Sequence, residues 1–379
     1  MEFSFSNIDG KYSKGRPERM GDIQPKFWFT GMSSTILVKR QHGQKVPDQQ
    51  QKSRMFNHFG EFFGYCLAEK SGVEACPVDL ITLHDTRNRY SKTKYLYTAC
   101  GSRKLLTPSQ MMILGESIIN SFELNYPNKF KEILSKQGDV THSEKKLSID
   151  SHDNVDIVLA SIVAETISYE SKSKKFSEAQ IREDVKENLK LAIDMITYDC
   201  IFGNNDRHSE NWAMYVDLST GKVKPYPLYD NERVLGLSLT EAEVKEAVKS
   251  GDLDTITENS QFSRMGISPI HTGASYKDVL KHLCVNYPEY ALPAIQKRIE
   301  SVSVQDIEAL YDASQGITQR SEAANELTLS DELPEEYRTY GVALYTQRRA
   351  FARDLLEKHK NEREGTSSRK AEDRELMVL

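Results

Sequence analysis

Between residues 178 and 228 the hydrophobic period of the chain changes from that of a helix to that of strands, and it changes across one polar loop. Apolar residues recur at three- and four-residue intervals from about 178 to 202, and Gly203 stops the pattern. Two strand-like runs follow, 212 to 216 and 222 to 228, joined by the turn-forming "DLSTGK". The loop between helix and hairpin, "NNDRHSEN", is polar throughout. A loop held between rigid elements is where reacting side chains are commonly presented. Asp206 and Asn211 lie five residues apart in it, and "YPLYDNE" sets a second carboxylate, Asp230, at the far end of the hairpin.

The rest of the chain divides around that feature. Residues 1 to 100 read as a β-rich lobe: strand candidates at 26 to 29 and 35 to 39 form a hairpin, and another pair lies at 78 to 83 and 94 to 99. Between the pairs, Met55, Phe56, Phe59, Phe62, Phe63, Cys66 and Leu67 are spaced as a helix that closes on Gly72. From Gly101 the sheet is expected to give way to helix. Helical spacing covers 108 to 123, 126 to 136, 153 to 169, 239 to 250, 276 to 300 and 335 to 360, so that 101 to 360 is a helical lobe with a single hairpin inside it. Residues 135 to 153 read as a surface loop, and 361 to 379 as a charged, mobile tail. The fold class is α+β.

With 379 residues, 38% of them hydrophobic, the chain can bury a sizeable core. A formal net charge of -6 gives no overall basic field to draw in nucleic acid, which is not expected as a direct partner. Cys66, Cys76, Cys100, Cys200 and Cys284 are odd in number and lack any CxxC spacing, so they read as buried free thiols of a reducing compartment. No apolar run reaches the ~18 residues of a membrane span, and "MEFSFSNIDGKYSKGRPER" has no signal-peptide core. A cytoplasmic protein is expected, or an effector exported without a cleavable signal.

A loop carboxylate, an amide five residues on and a carboxylate at the end of the next hairpin match the layout of phosphoryl-transfer sites. One carboxylate can orient an attacking hydroxyl and take its proton, while nucleotide phosphates need Mg²⁺ on hard oxygen ligands. Asp206 is then the base, with Asn211 and Asp230 on the metal. The same layout asks for a strand lysine paired with a helix glutamate. Lys39 ends the "ILVK" strand, and Glu61 lies in the following helix; it is preferred over Glu69 because a charge among phenylalanines needs a partner. His208 joins the catalytic candidates, although its first reading is structural, donating to a neighbouring carbonyl or carboxylate to hold the loop. Arg207 is assigned to an acidic neighbour in preference to a phosphorylated segment. Trp28 and Trp212 are placed in packing. The run 168 to 178, with Lys172, Lys174 and Lys175, reads as a solvated face.

"GDIQPKFWF", "ILVKR", "GEFFGYCLAEKSGV", "GNNDRHSENW" and "PLYDNE" together resemble the HipA-like serine/threonine kinases over about residues 20 to 235, and "NDRHSEN" is also similar to phosphatidylinositol kinases. The resemblance implies a two-lobed protein-kinase-like fold that uses ATP and Mg²⁺, with Gly21 to Lys26, including Gln24, folding over the phosphates. It implies phosphorylation of serine or threonine on a protein, and raises an antitoxin or a host protein as partner. Two departures bear on this. The loop reads Asp-Arg-His where mainstream protein kinases have His-Arg-Asp. "ERMGDIQPK" has no serine or threonine ahead of the loop, which puts inhibitory autophosphorylation there in doubt and leaves Ser13, Ser33 and Ser34 as nearby substitutes. A lipid or small-molecule kinase and a nucleotide-binding pseudokinase acting as an interaction module stay open as alternatives.

Overall fold

Aromatic and β-branched residues are concentrated in "KFWFT" and "TILVKR", and the two runs pair. The computed structural model describes residues 6–7, 13–17, 26–30, 35–40, 56–86, 94–135, 154–251, 253, 275–314 and 333–365. Strands β1 (Ser6–Asn7), β2 (Ser13–Pro17), β3 (Lys26–Thr30) and β4 (Thr35–Arg40) precede helix α1 (Asn57–Ser71), and β5 (Val78–Thr86) and β6 (Lys94–Arg103) follow it. The six strands form one sheet in the order β1-β5-β6-β4-β3-β2, antiparallel except where β1 joins β5. Within β4 the period of two sends Ile36 and Val38 to one face and Leu37 and Lys39 to the other.

α1 is as expected from its spacing. Phe56, Phe59 and Phe63 are fully buried, and Gly72 caps the helix in the left-handed conformation. Its first turn is fastened from outside, because the Phe56 amide donates to the carbonyl of Leu237 at 2.9 Å. Gly60 and Gly64 give this helix a bare stripe. A Cβ at Gly60 would run into the Glu232 carbonyl and one at Gly64 into the Asn231 side chain, so the segment carrying Asp230 lies directly on the helix.

Sheet does not give way to helix at Gly101. β6 continues to Arg103, and 110 to 114, read as helix, is a strand, β7 (Gln110–Leu114). Helix α2 (Gly115–Asn125) begins only after it, followed by α3 (Pro127–Ser135), α4 (Val155–Ser173) and α5 (Glu178–Phe202). β7 pairs antiparallel with β8 (Ala213–Asp217), which pairs with β9 (Val223–Pro225), so the expected single hairpin is a three-stranded sheet. Met111, Met112, Ile113 and Leu114 read as helix because the helical spacing of Ile118, Ile119 and Phe122 runs straight on from them. A partner strand about a hundred residues away decides otherwise.

A short 3₁₀ turn (Val234–Gly236) leads to α6 (Glu241–Ser250), capped by a reciprocal Thr240 and Glu243 box. The long helix expected over 276 to 300 is two, α7 (Tyr276–Asn286) and α8 (Pro288–Ser301), parted at Pro288, which begins a helix well and continues one badly. α9 (Val304–Ser314) was not expected, and α10 (Glu335–Gly365) runs past the expected end at 360. Residues 136 to 153 and the tail beyond 365 lie outside the described residues. All five cysteines are free; Cys66 is half-buried and the others are buried. Trp212 is 3% exposed. Among the described residues no helix is long and apolar enough to cross a membrane.

α5 runs through the helical part, packed against α4, α7, α8 and α10. The β-rich part meets it where Ala75 bridges Leu228: the Cys76 amide donates to Leu228 at 2.8 Å, and the Leu228 amide to Glu74 at 2.9 Å. That junction brings the sheet, α1 and the end of the β8–β9 ribbon together.

Candidate active site

α5 must end for the loop to begin. Ser177 caps its start by accepting from the Gln180 amide, and Gly203, at φ 80°, ends it in a conformation that a Cβ would strain. In its last turn sits Asp199, at the negative end of the helix dipole, with no basic residue in that turn. The compensation comes from the loop. Arg207, 1% exposed, sends Nε to Asp199 Oδ2 at 2.9 Å and Nη2 to Oδ1 at 3.0 Å. Burial works against its charge and Asp199 outweighs it, so its pKa is raised. Arg207 is therefore paired with an acidic neighbour, as read from the sequence.

The same guanidinium organises the site. Nη1 donates to the Asn211 carbonyl at 2.8 Å and to the Tyr229 carbonyl, and Nη2 reaches Asn231 Oδ1 at 2.6 Å. One side chain thus joins the end of the loop to both neighbours of Asp230. Asn211 Nδ2 donates to the Asp206 carbonyl at 2.7 Å, which leaves Oδ1 as the ligand end of the amide. The His208 ring also helps to hold the loop, as read from the sequence: its Nδ1 accepts from the Glu210 amide at 3.2 Å.

Lys39 is 3% exposed and meets the helix glutamate that the layout asks for, together with Asp230. Its Nζ lies 2.8 Å from Glu61 Oε1 and 2.6 Å from Asp230 Oδ1, with Glu232 Oε2 at 4.0 Å. Burial alone would drive the proton off this ammonium; Asp230, Glu61 and Glu232 outweigh it and hold the pKa well above its ordinary value. Glu69, the competing partner, instead accepts from Tyr65 on the exposed side of α1. The second oxygen of Glu61 accepts from the Asn231 amide, so α1, β4 and the segment after the ribbon close on one point. Asp230 itself has φ 56°, a left-handed backbone uncommon outside glycine. Strain of this kind persists where the surroundings fix it, and it concentrates at functional sites.

Asp206 lies beside Arg233, within the electrostatic reach of Asp230 and Glu232. Burial pushes its carboxyl up to about 7, while Arg233 and Arg207 pull it down and Asp230 and Glu232 push it further up. Arg233 Nη2 stands 3.0 Å from Asp206 Oδ2. Lys26 lies directly opposite Lys39 in the β3–β4 register. Gly21 and Gln24 lie outside the described residues. The oxygens of Asn211 and Asp230 are hard donors of the type Mg²⁺ prefers, and two are too few to hold it without phosphate oxygens and water.

Asp199, Asn231, Glu232 and Arg233 were not singled out in the sequence. Asp199 had a readable signal, an acid where the dipole disfavours one. "DNER" had another, since alternating charges directly after a strand-like run need partners if the segment is buried.

A six-stranded sheet with one helix, joined to a helical part that carries a polar loop and a ribbon ending in aspartate, is the two-lobed HipA-like kinase fold. Among solved structures, the Helicobacter pylori proinflammatory kinase CtkA matches with a TM-score of 0.59 at 14% identity, over 97% of this chain and 100% of that one. HipA of Shewanella oneidensis MR-1, solved with HipB and operator DNA, matches at a TM-score of 0.47 and 13% identity, over 92% of this chain and 69% of that one. No family model matches the sequence, and no curated protein matches it.

Proposed function

We propose that the protein is an ATP- and Mg²⁺-dependent kinase that phosphorylates serine or threonine on a protein. The observation that carries this reading is the single Lys39 ammonium held between Glu61 and Asp230, beside the loop that bears Asp206. The six-stranded sheet and α1 supply Lys39 and Glu61, and the part from β7 onward supplies the loop and the ribbon. Lys39, kept charged and oriented by Glu61, meets the α- and β-phosphates. Asn211 and Asp230 are the residues to hold Mg²⁺, which when bound neutralises charge on the phosphates. Asp206 orients the acceptor hydroxyl and takes its proton as the hydroxyl oxygen attacks the γ-phosphorus. Arg207 exchanges nothing; it fixes loop and ribbon in register.

The test is transfer from γ-labelled ATP to casein by the full-length protein, compared with Asp206→Asn. The wild type is expected to label casein, and the variant to lose at least about a hundredfold in kcat while still binding ATP. A wild type that binds ATP and labels neither casein nor phosphoinositide vesicles overturns the reading in favour of a binding module; labelling of the vesicles alone overturns the protein substrate.

A further inference from the structure

Arg233 lies three residues beyond Asp230, and its guanidinium is directed at the candidate base itself. Nη2 stands 3.0 Å from Asp206 Oδ2, with the two side chains only 9% and 14% exposed. The backbone that delivers it is fixed on both sides. The Val234 amide donates to Asn231 and the Gly236 amide to the Arg233 carbonyl, each at 3.2 Å. Val234 and Leu235 are fully buried, Tyr311 donates to the Leu235 carbonyl at 3.3 Å, and Leu237 accepts from Phe56 at the start of α1. The guanidinium therefore projects from the core, and the loop carboxylate is oriented by it. Arg207 differs: its bonds go to Asp199, Asn231 and two backbone carbonyls, all scaffold.

A carboxylate turns easily about its last torsion, whose wells are broad and two-fold. A charge-assisted bond to a fixed guanidinium removes that freedom. We propose that Arg233 is a positioning residue for phosphoryl transfer: by holding Oδ2 of Asp206 it sets the carboxylate plane so that Oδ1 faces the acceptor hydroxyl. The inference rests on the kinase reading. In the step, the hydroxyl oxygen bonds to the γ-phosphorus, the bond from phosphorus to the ADP oxygen breaks, and the hydroxyl proton passes to Oδ1. Arg233 keeps its protons throughout.

Full-length Arg233→Met and Arg233→Lys, assayed with γ-labelled ATP and casein alongside thermal melts, test this. For Arg233→Met a kcat loss of about a hundredfold is expected, with the KM for ATP within about threefold of wild type, because orientation is lost and the nucleotide contacts are not. Arg233→Lys restores about tenfold of that loss by returning the cation without the planar fork. An Arg233→Met enzyme with wild-type kcat, or one whose defect lies in the KM for ATP, overturns the proposal while the kinase reading stands; a silent wild type overturns the kinase reading first. If Arg233→Met does not fold, Arg233→Lys decides: a several-fold lower kcat at unchanged KM upholds the role, and wild-type kcat or a raised KM ends it.

Discussion

Glu170 is fully buried at the base of the β8–β9 ribbon, where its Oε1 accepts from the Val223 amide at 3.3 Å. Burial pushes its carboxyl from 4.5 up to about 7, and the charge of neighbouring Asp184 adds to the rise. The folded state therefore holds this proton more tightly than the unfolded chain. The stability so gained is complete below pH 4.5 and is lost as pH rises through about 7. Glu170→Gln keeps a donor toward Asp184 and removes the titration, so it should melt with the wild type at pH 4 and above it at pH 8. Equal melting temperatures at both values would refute that assignment. Lys39, Glu61, Asp206, Asn211 and Asp230 were singled out by their spacing along strand, helix, loop and ribbon, and the structure pairs Lys39 with Glu61 and Asp230. Asn231 and Arg233 were not, because their partners are a guanidinium and a carboxylate 24 and 27 positions back along the chain, respectively. No local pattern encodes such a meeting.

Among the elements, α1 depends most on a feature it lacks, a side chain at Gly60 and Gly64. Gly60→Ala sets a methyl against the Glu232 carbonyl and moves helix and segment apart, which pulls Glu61 from the Asn231 amide and Lys39. On the kinase reading, labelling of casein should fall about a hundredfold, as small misplacements at reacting centres do. Wild-type turnover in Gly60→Ala would show that the close approach is dispensable. Helices with long periodic runs, such as α5, were legible from end to end. β7 was not, because an apolar run of a few residues does not distinguish strand from helix until a partner strand is beside it. α7 and α8 were merged for another reason, that helical spacing runs on across both, although Pro288 marked the division.

At the scale of the whole molecule, α1 follows the β-rich strands in sequence and is fastened to the helical part in space. Tyr198 of α5 donates to the Gly64 carbonyl at 2.6 Å, Arg298 of α8 to Ser71 at 3.0 Å and Lys297 to Gly72 at 3.1 Å, while Lys70 pairs with Asp306 of α9 at 2.7 Å. Amide exchange should therefore group α1 with α5 and set both apart from β3 and β4. Exchange of α1 in step with the β3–β4 ribbon would contradict this. The fastening has a practical corollary. Compounds that silence an enzyme by wedging its glutamate-bearing helix outward would have to tear that helix from α5, α8 and α9 together. On the kinase reading, the vulnerable side of this molecule is its nucleotide site instead.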